Sequence, residues 1–249
     1  MNKRILVIGE SCKDVFVYCD ALRLAPDLPV PVLSIIDQSE NPGMAMNVKK
    51  NIDSLGGNCD IVTNDAWENV TKIRYVHKPS NHLFVRVDAD HAIPRISLEG
   101  ISLEEYDLVA ISDYHKGFLT EEDIARICAL HPQVFIDTKK PLGAWADGAC
   151  YIKINNHEYE RSRTTLTPIT EDKIIRTKGS EGATYKGKTY LVSTIIDVKD
   201  SSGAGDTFFA GLLVKYAETG DIDASIHFAN ECASYVVQQR GVTVVGKPA

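Results

Sequence analysis

Several common signals are missing from this chain. Its six cysteines, at 12, 19, 59, 128, 150 and 232, form no C-x-x-C pair and no grouping with histidine at metal-ligand spacing, so nothing points to a thiolate metal centre. Scattered thiols of this kind read as reduced and buried in a cytoplasmic protein, with disulfides as the open alternative. Positive charge is not in excess either: 27 Lys and Arg stand against 34 Asp and Glu, a net charge of −7. A nucleic-acid binder needs a basic stripe to neutralise phosphates, so the expected partner is a small molecule and not nucleic acid. No apolar run reaches membrane-spanning length, and the segment before Gly9 is too short for a signal-peptide core. A cytosolic chain without a membrane partner is expected. Internal repeats and low-complexity linkers are also absent, which points to a single domain over residues 1–249.

What is present is a series of short apolar runs closed by turn residues: RILVIG (4–9), CDIVT (59–63), DLVAIS (107–112), QVFID (133–137), CYIKI (150–154) and DKIIRT (172–177). Such runs are expected of strands buried on both faces of a sheet. Helix-like segments lie between several of them, at 45–56, 120–130 and after Gly205. Thr120 with Asp123 resembles a capping box, and Gly56 stands where a left-handed cap would end the first helix. The alternation predicts an α/β fold with a mostly parallel central sheet flanked by helices. Two stretches break it: 15–23 with 30–36, and 71–78 with 82–90, read as strands joined by turns. In HLFVRVD, Leu83, Val85 and Val87 alternate with Phe84, Arg86 and Asp88, the period of a half-exposed strand. These stretches are expected to form a small β lid, over about 12–38 and 71–95, standing off the main sheet.

The stretch DSSGAGDTFFAGLL (200–213) sets two aspartates around a glycine turn. Phe208, Phe209, Leu212, Leu213 and Tyr216 then recur at helical spacing, and Gly220 closes the pattern. A helix is therefore predicted to start near Gly203 to Gly205. Its first N–H groups have no intrahelical acceptor, and the glycines let a ligand come close, an arrangement that attracts anions and phosphate above all. The alternative is that Asp206 only complements the helix dipole while Asp200 caps the turn.

DSSGAGD fits the D-T-x-G-A-G-D signature of the pfkB (ribokinase-like) carbohydrate kinases. RLAPDLPVPVLSI, NPGMAMNVKKNIDSLG, TKIRYVHKPSNHLFVRVD and ISDYHKGFLT resemble, in order and spacing, the kinase domain of the D-glycero-β-D-manno-heptose 7-phosphate kinases, and the similarity runs nearly end to end. The resemblance implies a ribokinase-like fold and transfer of a phosphoryl group from ATP to a sugar hydroxyl. It makes Asp206 the general base and the N–H groups of Gly203, Ala204, Gly205 and Asp206 an anion hole. Asp200 and Ser202 match positions that hold a monovalent cation such as K⁺ in many relatives. Asn155 and Glu158, in INNHE, match an N-x-x-E motif that acts largely through water on Mg²⁺, with a solvated polar turn as the alternative. Asp137, Lys139, Lys178, Gly179 and Asn230 match positions near the nucleotide. On the sugar side the matches are Asp14, Gly43 and Asn47, the last two from the pattern G-G-x-x-x-N.

The sequence departs from the pattern twice. Met44 replaces the second glycine of that motif, and would either narrow the sugar pocket or fill a gap in the core. The segment between Gly57 and Thr71 is too short for the helix and strand the resemblance leads one to expect, so the sheet edge, the lid base and any homodimer contact through the lid should be reorganised. Lys72, Arg74, Lys78 and Arg86 lie on or near the lid. Strand alternation allows Lys72, Arg74 and Arg86 to face the sugar pocket and bind a phosphate already on the acceptor; solvent-facing charge is the alternative. His77, His82 and His91 fit no metal motif, and Asp113 with Lys116 fits either the family pattern or a surface turn. The expected activity is an ATP-dependent kinase of a sugar or sugar phosphate, heptose 7-phosphate or similar. A kinase of another free sugar or a nucleoside, and a non-catalytic ribokinase-like binding protein, are the alternatives.

Overall fold

The computed structural model describes residues 3–89, 92–192 and 197–246. Strand β1 (Arg4–Gly9) alternates between two buried faces: Ile5 and Val7 enter one apolar core, Leu6 and Ile8 the other. Burial on both faces explains why its sequence is apolar throughout. The chain then leaves the core in β2 (Ser11–Leu24) and returns along β3 (Pro31–Met44) into helix α1 (Ala45–Ser54) and β4 (Asn58–Val62). A second excursion is made by β5 (Thr71–His77) and β6 (Leu83–Ala89). The remainder runs through β7 (Leu108–Asp113), α2 (Glu121–Leu130), β8 (Val134–Thr138), β9 (Tyr151–Asn155), α3 (Asn156–Ser162), α4 (Pro168–Glu171) and β10 (Ile174–Thr177). Two short strands, β11 (Ala183–Tyr185) and β12 (Lys188–Tyr190), precede the helices α5 (Ala204–Thr219) and α6 (Ile222–Val236).

The main sheet has eight strands in the order β12-β11-β10-β9-β8-β7-β1-β4. All pairings from β4 to β10 are parallel, and β11 and β12 add an antiparallel edge. One core packs the sheet against α1, α5 and α6 through Val48, Ile52, Phe208, Phe209, Leu212 and Ile226; the other covers the opposite face with α2 through Ile124 and Ile127. Each such side chain, fully buried, contributes roughly 1.5–3 kcal/mol. The predicted α/β layering is what forms. The predicted caps form as well: the Thr120 hydroxyl accepts the Asp123 N–H while the Asp123 carboxylate accepts the Thr120 N–H, and Gly56 and Gly220 close their helices at φ +82° and +68°. All six cysteines are free thiols, and burial raises those of Cys12, Cys59, Cys128 and Cys232 to about 12.

The lid is a four-stranded sheet, β3-β2-β5-β6, in which β2 and β5 run parallel and the outer pairs antiparallel. It differs from the predicted extent at both ends. β3 continues to Met44, because 37–44 pair in register with 11–18 (Tyr18 with Asp37, Ser11 with Met44) although DQSENPGM has the composition of a loop. β6 ends at Ala89, and 92–98 run without regular structure. In the shortened segment β4 becomes the sheet edge and is followed by one 3₁₀ turn, Trp67–Asn69. A cavity of about 470 Å³, lined by Asn64, Glu68, Val70 and Ile93 among others, lies at this lid base.

Candidate active site

The carboxyl ends of the parallel strands lie along one edge of the sheet, where open α/β sheets bind ligands. Asp137 and Lys153 at the ends of β8 and β9, Tyr114 just after β7, Lys178 just after β10 and the first turn of α5 all line one cleft of about 1010 Å³. Gly203 takes the N-cap of α5 at φ +80°, a conformation that costs a side-chain-bearing residue energy, so a small residue suits it. The helix start lines the cleft from Gly203 to Asp206, but the Ala204 N–H, expected to be free for an anion, is taken by the Ser201 carbonyl at 3.2 Å in the turn that leads into the helix.

Asp206, in that first turn, is 6% exposed. Its carboxylate accepts one hydrogen bond on each oxygen: from Asn47 Nδ2 to Oδ2 at 2.8 Å, and from the Tyr114 hydroxyl to Oδ1. Burial pushes the Asp206 carboxyl above its ordinary range, while Asn47 and Tyr114 pull it back. Asn47 is itself oriented by Asn51, whose Nδ2 donates to the Asn47 side-chain oxygen at 3.2 Å, and the Asn51 oxygen accepts from Val245 N–H. The amide end of Asn47 is thereby turned toward Asp206.

Two residues that line the cleft with Asp206, Lys153 and Tyr114, were not singled out by the sequence. Lys153 is 3% exposed and donates to Asp137 Oδ2 at 2.7 Å, and a Cβ added at Gly205 would come within 3.1 Å of its Nζ. Its ammonium thus sits against the helix start, where a phosphate would gain from its charge. The only sign in the sequence is a lysine inside the buried run YIKI, which requires a buried partner. Asp137 Oδ1 is buried without a hydrogen-bond partner, a carboxylate oxygen left for a ligand. Tyr114, in the turn after β7, carried no signal beyond its position.

The other residues expected near a nucleotide lie at or beside the same cleft. Lys139 pairs with Glu158; burial works against its charge, but Asp137 and Glu158 outweigh that and raise its pKa. Asn155 and Glu158 form a capping box for α3: Asn155 Oδ1 accepts the Glu158 N–H at 2.9 Å, and Glu158 Oε2 accepts the Asn155 N–H at 2.7 Å. With Glu158 5% exposed, N-x-x-E is a helix start and not a solvated turn. Lys178 and Gly179 border the cleft, as does Asn230, whose Nδ2 is tied to the Tyr190 carbonyl at 2.9 Å. Asp200 is occupied by backbone: its oxygens accept the N–H groups of Ser202 at 2.8 Å and Gly241 at 3.1 Å.

The lid supplies the other side. The register pairs Asp14 with Lys72, Arg74 with Arg86 and Lys72 with Asp88, so these residues share one face of the lid sheet. Arg74 donates to Asp14 at 2.5 Å, and Arg86 holds Asp88 through two bonds of 2.7 and 2.6 Å, which keeps the Asp88 carboxyl below its usual range. Lys72 is 7% exposed, with its ammonium 4.9 Å from the centre of the Tyr114 ring. A Cβ at Gly43 would lie 2.6 Å from Asp14 Oδ2, so a larger residue there would have to displace this carboxylate.

Met44 does not narrow this pocket. It is 2% exposed and packs in the core with Leu6, Ile8 and Cys12, while its backbone keeps φ +61°, a glycine-like conformation. Lys78 reaches Asp37 at 3.3 Å on the exposed lid surface. Asp113, 1% exposed, is no surface turn residue, since it pairs with the buried Lys140 at 2.6 Å. His77 and His82 pack edge-on against Phe84, and His91 lies outside the described residues. Among the described residues no three His, Cys, Asp or Glu side chains cluster as direct metal ligands.

A mostly parallel sheet carrying a four-stranded lid is the ribokinase-like fold. Residues 128–248 match the pfkB family carbohydrate kinases. The bifunctional protein HldE of Hydrogenovibrio crunogenus is 27% identical over 98% of this chain. The chain spans about three fifths of that relative's length, the match covering 61% of it. The fold is shared with phosphofructokinase-2 of Escherichia coli solved in complex with potassium, at TM-score 0.73 and 13% identity over 99% of this chain and 96% of that one. It is likewise shared with the Arabidopsis thaliana ribokinase complexed with ribose and ATP, at TM-score 0.72 and 17% identity over 97% and 94%.

Proposed function

We propose that the protein transfers the γ-phosphoryl group of ATP to a hydroxyl of a sugar that already carries a phosphate, heptose 7-phosphate or a close analogue. The observation that carries this reading is the position of Asp206, dry and hydrogen-bonded on both oxygens, between the cleft at the α5 start and the cationic face of the lid. Asp206 takes the proton of the acceptor hydroxyl as that oxygen attacks phosphorus, and the N–H groups of Gly203, Gly205 and Asp206, with Lys153, stabilise the charge on the transferring group. Asp14 and Asn47 orient the sugar. Lys72, Arg74 and Arg86 receive its phosphate: Asp14 and Asp88 fix the guanidinium planes, and a guanidinium has five N–H donors, more than one carboxylate engages. The relatives named HldE support the heptose class.

The donor set fits Mg²⁺ that arrives with the triphosphate. Asp137 Oδ1 offers an unpartnered carboxylate oxygen, and Glu158, engaged by Lys139 and the Asn155 N–H, would act on the ion through water; Mg²⁺ takes one or two carboxylates while keeping most of its water. Bound there, the ion would neutralise phosphate charge. Asp200 with Ser202 would hold K⁺ beside the anion hole. Leu22, Leu24, Ile35, Leu83, Val85 and Val87, exposed on the lid, support a homodimer through it, and the free thiols suit a cytoplasmic protein.

The test compares kcat/KM for heptose 7-phosphate and the unphosphorylated heptose, with Arg74→Ala and Asp206→Asn alongside. The phosphorylated acceptor is expected to be preferred, Arg74→Ala to collapse the preference, and Asp206→Asn to cut turnover by about 10²- to 10⁴-fold. Equal values for the two acceptors refute the phosphate reading. Near wild-type turnover by Asp206→Asn refutes the base.

A further inference from the structure

Tyr114 has no assigned role in this chemistry, yet its placement is specified from four directions. Its hydroxyl donates to Asp206 Oδ1, and it has no other carboxylate partner among the described contacts. Its ring lies between two ammonium groups, Lys72 of the lid at 4.9 Å from the ring centre and Lys139 of the nucleotide side at 5.4 Å. Its backbone is held by Glu10, which is fully buried and whose carboxylate accepts the N–H groups of Tyr114 at 2.8 Å and Lys116 at 2.9 Å, with Phe118 at 3.4 Å. A buried carboxylate is costly unless its oxygens are met, and here it meets the turn that carries Tyr114.

We propose that Tyr114 is a positioning residue for Asp206: its hydroxyl fixes Oδ1, so the carboxylate presents a defined lone pair to the acceptor hydroxyl and stays ionised in a dry site. This inference rests on Asp206 being the base. A carboxylate free to turn about its Cβ–Cγ bond would spend part of its time misaligned, and in a buried site it would also hold its proton more tightly. Asn47 fixes the other oxygen from α1, so the two donors act as a pair. The charged and titratable groups around Asp206 are Asp137 on β8, Lys139 after it, Lys153 on β9 and Cys12 on β2, besides Tyr114 itself. Of these, only Tyr114 donates to the carboxylate.

Tyr114→Phe keeps the ring and both cation contacts and removes one donor. The acid limb of the kcat/KM profile should move up by about 1–2 pH units, the loss of one hydrogen bond to a charged group. kcat at neutral pH should fall about tenfold, a fraction of a general base's share, with KM for ATP unchanged. A role in packing alone would lower stability without moving the limb. Replacing Tyr114 by 3-fluorotyrosine, a stronger donor of nearly the same shape, should move the limb the other way, to lower pH, and serves if Tyr114→Phe does not fold. Asp206→Asn is assayed in parallel. If it is inactive while both Tyr114 variants leave the limb in place, the positioning role is overturned and the base stands. If Asp206→Asn turns over normally, the base reading falls and the role of Tyr114 falls with it.

Discussion

Substitution of Met44 separates backbone strain from side-chain burial. Met44 sits at φ +61° and ψ −133°, where a residue with a Cβ is strained by roughly 1–3 kcal/mol, yet its side chain is 2% exposed in the core. Met44→Ala loses the buried thioether chain and keeps the strain, a cost of about 2–5 kcal/mol. Met44→Gly loses the same chain but relieves the strain, offset by about 0.5–1 kcal/mol for the greater freedom of glycine in the unfolded chain. Glycine should therefore be the more stable of the two variants by about 1 kcal/mol, although glycine is ordinarily the weaker residue beside a helix. Equilibrium unfolding in guanidinium chloride reads the difference, and a thermal melt should show about 2–4 °C in glycine's favour. Both variants should keep KM for the acceptor, since the side chain points away from Asp14 and Asn47 into the core. Alanine as stable as glycine would refute the strain argument, and a shifted acceptor KM would return Met44 to the pocket.

Glu158→Gln keeps the capping geometry of α3 but removes the carboxylate that Lys139 pairs with, leaving it only the nearby Asp137, so it should raise the Mg²⁺ concentration for half-maximal activity a few-fold and cost about 1 kcal/mol, the lysine being one-third exposed. An unchanged Mg²⁺ titration would confine Glu158 to the helix start. Asp206→Asn should raise the melting temperature at neutral pH while lowering activity. A carboxyl whose pKa is raised on folding penalises the folded state above that raised pKa, and the penalty disappears as pH falls through it toward the unfolded value. Melts from pH 4 to 8 should show the gap between variant and wild type closing toward acid; a constant gap would contradict a raised pKa.

The parallel sheet was legible because its strands are buried on both faces and alternate with capped helices, so sequence pattern and packing say the same thing. The continuation of β3 through DQSENPGM was not: a polar strand held by register with β2 carries no apolar period. β11 and β12 were missed because each is three residues long; their turn, Lys186 and Gly187 at φ +46° and +75°, is the clearest local sign of the hairpin. Asp206 and the glycine turn were singled out by one contiguous motif, and Asn47 by a second in which Met44 replaces a glycine. Tyr114, Lys153 and Glu10 were not, because each acts through a partner between 16 and 106 residues away, and single-chain spacing is silent about such pairs. Met44 reads as a pocket residue by alignment to a motif, and only its φ and burial reveal that the backbone kept the glycine geometry while the side chain went elsewhere.

Two of the lid's crossings join the core with no linker. β2 begins two residues after β1 ends, β3 passes directly into α1, and the two crossings are bonded to each other through Ala45 N–H to the Glu10 carbonyl at 2.9 Å. Lys13 N–H to the Val70 carbonyl at 2.8 Å adds the third crossing to the same stalk. Mechanically this is a leaf on a short, stiff stem: a torque that swings the lid would be borne at Glu10 and Ala45 together. Glu10 grips the turn carrying Tyr114, and Ala45 opens the helix carrying Asn47, so lid rotation would load both hydrogen-bond donors of Asp206 at once.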